Sequence, residues 1–274
     1  MPRRSPGVGR GRPSTHYDDG RYYDQAYRRR RHDVRFYVDL ATRIGGPVLE
    51  LGVGTGRVAF ALAQSGIEVV GVDAVPAMLS RAEERVAKMS RAVRSRVELR
   101  RGDLQSLRLR RRFPLVIAPF HVWNHLYAPK QIERGFATAR HHLGPRGRFA
   151  FDVLVPDPSS LAREPTRRYR GGFVPHPKDG ERYQYGEFFN YDPSSQIETV
   201  TMDFEHPVEP NRSFTTTLRQ RQFFPAELEA LVRYNGFDIE TRLADFRDEP
   251  ITRSTESQFI LAKKSPSGAP FKAP

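Results

Sequence analysis

Apolar positions along this chain follow two rhythms. In the first half, short apolar runs alternate with helical stretches. Val48, Leu49 and Leu51 read as a strand buried on both faces. Val58, Ala59, Leu62 and Ala63 then share one helical side. Residues 69–72 are a second apolar strand, and Pro76 opens a helix with Met78, Leu79, Ala82 and Val86 inward. Residues 97–101 and 114–120 predict the third and fourth strands, residues 129–143 a helix, and residues 148–155 a fifth strand after a tight turn at 144–147. Ahead of all these, a helix is predicted from Tyr22 to about Arg43, with Val34, Tyr37, Val38 and Leu40 facing a core. Strands alternating with helices predict an α/β fold with a doubly wound, mostly parallel sheet.

The rhythm changes after residue 156. Residues 156–181 are rich in Pro, Gly and Arg, and three segments of period two follow: 182–191, 197–203 and 214–220. They predict three antiparallel strands. A last helix at 225–232 and two strands, one after Asn235-Gly236-Phe237 and one at 258–262, complete the chain. The expected organisation is a disordered basic tail (1–20), a Rossmann-like domain (21–156 and 225–264), an antiparallel β insertion serving as substrate cap or dimer face (157–224), and a second disordered tail (265–274).

The first strand runs into Gly52, Gly54 and Gly56, and the second ends at Asp73. Glycines between a strand and a helix let a ligand approach the backbone, and a carboxylate at the tip of the second strand suits ribose hydroxyls. The third glycine comes one residue earlier than in a dinucleotide fingerprint, and Glu50 stands two residues before the first. A carboxylate there repels a pyrophosphate and suits a ligand that is positively charged. The residues alone also allow a Rossmann-like domain with another nucleotide or none.

Glu50-Leu51-Gly52-Val53-Gly54-Thr55-Gly56, Val70-Gly71-Val72-Asp73 and Arg101-Gly102-Asp103-Leu104, in that order, resemble three motifs of the class I S-adenosylmethionine-dependent methyltransferases. The resemblance covers roughly residues 20–264, is of the small-molecule type, and implies a seven-stranded sheet whose last strand is antiparallel. It also implies a cofactor set of Tyr22, Tyr23, Glu50, Gly52, Gly54, Gly56, Asp73, Ala74, Met78, Asp103, Leu104, Pro119 and Phe120. The segment after the fourth strand lacks the Asn-Pro-Pro-Tyr or Asp-Pro-Pro-Tyr of look-alikes that methylate adenine N6 or glutamine. It carries His121 and His125 instead, at the sheet end where a ligand belongs. Imidazole titrates near neutrality, so either histidine is a candidate general base, or one simply holds the loop. Trp123 lines the acceptor pocket or packs in the core, and Asp152 reaches toward the site rim.

Composition narrows the chemistry. The chain has no cysteine, which excludes disulfides, cysteine-held metals and thiolate attack on a base, and with it cytosine-C5 methylation. No metal is expected; the product cofactor would be S-adenosylhomocysteine. A net charge of +13 raises an RNA substrate gripped by the basic tail, but only six of the 45 basic residues are lysines and most arginines are scattered. The expected activity is methyl transfer to nitrogen or oxygen of a small molecule, with RNA methylation or a non-catalytic cofactor-binding module as alternatives. A cytoplasmic monomer or homodimer without a membrane span is expected.

Overall fold

The computed structural model describes residues 15–176 and 179–266. Helices α1 (Gly20–Tyr27) and α2 (His32–Ile44) precede strand β1 (Val48–Leu51). Then come α3 (Arg57–Gln64), β2 (Val69–Asp73), α4 (Pro76–Ala87), the short α5 (Arg91–Arg94), β3 (Val97–Arg101), β4 (Phe113–Ala118), α6 (Pro129–His142), β5 (Leu143–Leu154) and the single turn α7 (Pro158–Leu161). Strands β6 (Tyr169–Pro175), β7 (Arg182–Asp192), β8 (Ile197–Glu205) and β9 (Phe214–Arg221) follow, and α8 (Pro225–Tyr234), β10 (Phe237–Ala244) and β11 (Ser257–Lys264) end the described chain.

A seven-stranded sheet has the order β10-β11-β5-β4-β1-β2-β3, and a separate four-stranded sheet the order β6-β7-β8-β9. The first five strands pair in parallel; β11 lies antiparallel between β5 and β10. The chain adds strands outward from β1 to β3, then returns to the other side of β1 with β4. That reversal opens a crevice at the carboxyl ends of β1 and β4.

Alternation explains the two cores. Leu49 and Leu51 face one side with Phe136, Phe149 and Phe151; Val48, Leu115 and Ile117 face the other with Tyr37, Leu40 and Val58. A smaller cluster of Tyr183, Phe189, Val200, Met202 and Phe204 belongs to the four-stranded sheet, and Tyr22 packs on it.

Four sequence expectations are corrected. The single helix from Tyr22 to Arg43 is two, broken at residues 28–31, because four successive arginines supply no apolar face; the Arg30 carbonyl there accepts from Arg57 (3.1 Å). The fifth strand starts at Leu143, with residues 144–147 bulging between the pairs Phe113↔Leu143 and Leu115↔Arg148. The antiparallel sheet has four strands: β6, with two adjacent glycines and no clear alternation, pairs with β7. Residues 15–20, expected in a disordered tail, are packed: Thr15 bridges Thr217, the His16 N–H donates to the Thr217 carbonyl (3.0 Å), and the His16 ring is buried among Tyr17, Tyr22, Tyr23 and Tyr27. Burying these aromatic rings opposes the entropy of ordering the segment. Residues 1–14 and 267–274 lie outside the described residues.

Candidate active site

The crevice holds a cavity of about 360 Å³. Its floor is the turn after β1, where Gly52 (φ 73°), Gly54 (φ 55°) and Gly56 (φ 83°) all adopt left-handed backbone conformations. At Gly52 a side chain would be strained twice, since a Cβ would also come within 2.5 Å of Val122 Cγ2. Asp73, at the tip of β2, ties this turn down: its carboxylate accepts from the N–H groups of Gly54 and Val75, each at 2.8 Å. Burial raises the Asp73 pKa, against those backbone donors. Each carboxylate oxygen accepts one such bond and retains capacity for a second.

Glu50 is the buried carboxylate of the floor, 2% exposed, and its Oε2 has no hydrogen-bond partner. Burial, reinforced by Asp73, drives its pKa well above the carboxylate range; Arg57 and the Ala59 N–H in the first turn of α3 oppose this. An orphaned buried oxygen beside the cavity is costly unless a donor arrives from outside the chain. Ala74, Met78, Asp103 and Leu104 line the same end, and Pro119 and Phe120 the end of β4.

The opposite wall is aromatic. Tyr17, Tyr23, His125 and Tyr127 line it, with Thr15, Thr217 and Arg219. His125 Nε2 lies 2.7 Å from the Tyr17 hydroxyl, and its Nδ1 3.4 Å from that of Tyr127. Burial pushes the His125 pKa down to about 4, while hydrogen bonding to the Arg219 backbone counters it. The Tyr127 hydroxyl spends its proton on the Arg219 carbonyl, so the Nδ1 facing it carries the ring proton and Nε2 accepts from Tyr17. Burial and neighbouring tyrosines raise the Tyr17 pKa well above the phenol range, so the pair is neutral.

Known proteins resemble this chain in sequence and fold. A family profile described as a methyltransferase domain matches residues 48–147, the span from β1 into β5. A curated relative from Bacillus subtilis (strain 168), named "Putative methyltransferase YqeM", is 26% identical over 228 residues, covering 80% of this chain and 85% of its own. The CcbJ methyltransferase from Streptomyces caelestis is 28% identical, with a TM-score of 0.72 over 85% of this chain and 95% of its own. Residues 48–147 carry a methyltransferase domain, and the fold is that of the class I S-adenosylmethionine-dependent methyltransferases. S-adenosylmethionine-bound CalS10 from Micromonospora echinaspora, described as an amino pentose methyltransferase, shares the methyltransferase fold at a TM-score of 0.65 and 18% identity, over 89% of this chain and 96% of that one.

Three expected site residues of the methyltransferase lie off the cavity wall. Tyr22 turns away to stack on His176 (ring centroids 5.4 Å apart) and to meet Phe204 edge-on. Gly56 caps α3, where any Cβ would collide with the Phe60 ring. His121 does not share a face with His125: Phe120 and His121 both have φ of 63°, and this left-handed turn swings the His121 ring back toward β11, where Nε2 lies 2.9 Å from Ser257 Oγ. Burial pushes its pKa down to about 3. Asp152 serves the same turn instead of the rim. It accepts from the N–H groups of Phe120 (3.0 Å) and His121 (3.1 Å) and from the Tyr37 hydroxyl (2.6 Å), and burial pushes its pKa up to about 6. Trp123 is fully buried against Phe136, Phe149 and Phe151.

The sequence reading missed Thr15, Tyr17, Tyr127, Thr217 and Arg219. Period two in β9 does put Thr217 and Arg219 on one face, but only the tertiary fold says what that face covers. Among the described residues no helix is long and apolar enough to cross a membrane.

Proposed function

We propose that this methyltransferase moves the donor methyl to a nitrogen, or less readily an oxygen, of a small molecule held between the Rossmann-like sheet and β9. The observation that carries the reading is that one cavity is walled by both parts: Glu50, Asp73, Asp103 and His125 from the Rossmann-like part and Thr217 and Arg219 from β9, joined by Tyr17 from ahead of α1. In this reading the four-stranded sheet caps the acceptor, and enclosure favours a guest small enough to be surrounded.

The donor fits the floor. The unpartnered Glu50 Oε2 suits its ammonium, the Asp73 carboxylate its ribose hydroxyls, and Asp103 with the Leu104 N–H its adenine. When bound, S-adenosylmethionine supplies an electrophilic methyl group on a leaving thioether that needs no protonation. The chain's own work is alignment and exclusion of water. Its aromatic wall disfavours charge, so an amine gives up its proton to solvent as it enters and presents a lone pair. His125, neutral and engaged with Tyr17, orients the guest more than it withdraws a proton, and its depressed basicity makes hydroxyl acceptors the poorer class.

The test pairs binding with transfer. S-adenosylhomocysteine should raise the thermal midpoint and NAD should not. With methyl-labelled donor, a panel of primary and secondary amines, alcohols and phenols should take label chiefly on nitrogen. Label entering RNA or protein fractions and no small molecule would refute the proposal.

A further inference from the structure

We infer that the acceptor carries an anionic group, carboxylate or phosphate, gripped by Arg219; this rests on the small-molecule reading just proposed. Two arginines line the cavity. Arg57 is already answered, since it forms a two-pronged pair with the buried Asp33 at 2.8 and 2.5 Å. Arg219 has no carboxylate within ion-pair distance among the described residues. Arg221, two residues along the same strand, pairs with Glu227, and Arg168 and Arg212, in the connections before β6 and β9, pair with Asp203 and with Asp179 and Glu181. Among the described arginines of this sheet, Arg219 is the one that both lines the cavity and lacks a carboxylate partner.

Arg219 is also aimed. Its guanidinium carbon lies 5.1 Å from the centroid of the Tyr127 ring, and the Tyr127 hydroxyl donates back to the Arg219 carbonyl at 3.1 Å. The ring is thus a platform tied to the strand it supports. Stacking occupies a face of the guanidinium and leaves its edge N–H fork for a planar or tetrahedral anion. The wall is electrically polar as a result. Its three carboxylates, Glu50, Asp73 and Asp103, sit on the donor side, while Arg219 marks the rim of the acceptor side. An acceptor with an anion at one end and an amine at the other would lie with its amine inward, toward the methyl group. Arg219 is exposed, so such a guest can reach it from solvent.

The experiment uses the full chain saturated with S-adenosylhomocysteine and a ruler of probes: glycine, β-alanine, 4-aminobutyrate and 6-aminohexanoate, each beside its primary amide, with 2-aminoethyl phosphate as the phosphate arm. Binding is read by ligand-observed NMR and transfer by label from S-adenosylmethionine. At one chain length the anion should bind at least about tenfold tighter than its neutral partner. Arg219→Gln should erase that gap, and Arg219→Lys, which keeps the charge without the fork, should retain part of it. Affinity for S-adenosylhomocysteine, measured on each variant, reports whether the donor site is still folded. Equal binding of acids and amides, or a gap that survives Arg219→Gln, overturns the inference. Methylation of neutral amines with no preference for anions overturns it while sparing the small-molecule reading. Failure of every amine to bind or react, with the donor site intact, overturns both.

Discussion

Replacing Glu50 by Gln should make the free protein more stable and the donor complex weaker. The change keeps the shape of the side chain and removes its ability to ionise. In the free protein burial holds the Glu50 pKa far above its unfolded value. A raised folded pKa contributes stability that is complete below the unfolded pKa and is lost as pH rises through the folded one. The parent therefore loses stability over that interval, and the glutamine variant does not. Relief of a buried, half-satisfied carboxylate is worth about 1–3 kcal/mol. At roughly 2–4 °C per kcal/mol for a chain of this size, the midpoint at neutral pH should rise by several degrees. The two melting curves should converge in acid, where the parent carboxyl is protonated as well.

Binding should move the other way. The donor ammonium would lose an ionised partner, at about 2–3 kcal/mol, or roughly 30- to 150-fold in affinity. Pairing with the ammonium requires Glu50 to give up its proton. Parental affinity should therefore climb with pH, and calorimetry in buffers of different ionisation enthalpy should register proton release. The glutamine variant should show neither. A variant that melts lower at neutral pH and binds the donor like the parent would mean that Glu50 is an ionised structural group, held by Arg57 and the Ala59 N–H, and the reasoning would fail.

Four further outcomes are expected. Asp73→Ala should weaken S-adenosylhomocysteine binding by about 1–3 kcal/mol in calorimetric titration, and should also loosen amide protection at Gly54 and Val75, which lose their acceptor. His121→Ala should cost about 1–3 kcal/mol in denaturant unfolding through the lost Ser257 contact and leave donor affinity near the parent's. With the His125 pKa at about 4, the transfer rate should show no acidic limb from this residue near neutrality; a limb at the ordinary histidine value that vanishes in His125→Phe would contradict its burial. Removing residues 1–14 should spare donor binding, whereas extending the cut through Tyr17 should release the His125 ring and open the wall, read as a lower donor affinity.

The candidate donor end was legible because its residues are contiguous. Glu50, the glycines and Asp73 sit on the consecutive strand–turn–helix–strand of one βαβ unit, so their spacing already implies their geometry. The acceptor end was not. Tyr17 and Arg219 come from opposite ends of the chain and meet only when β9 docks beside the first described residues. The histidines illustrate the same limit at short range. Four residues apart, they would share a face on a helix, but two left-handed residues before a 3₁₀ turn part them. Phe120 and His121 carry no glycine to announce that turn; Asp152, 32 residues beyond Phe120 on the next strand, enforces it by accepting both their N–H groups. Strand β6 escaped notice because Gly171 and Gly172 interrupt any alternation.

The bridge between Thr15 and Thr217 offers a mechanical handle on the cavity. One of its partners follows the undescribed first residues, and the other lies on the cavity wall. Because the chain has no thiol of its own, cysteines placed at these two positions would be the sole pair able to cross-link, and paired backbones are spaced for it. Oxidised, such a protein would be fastened along one seam; reduced, it would be free to part. Comparing entry of the donor and of the acceptor in the two forms would separate the routes by which each molecule reaches the same chamber.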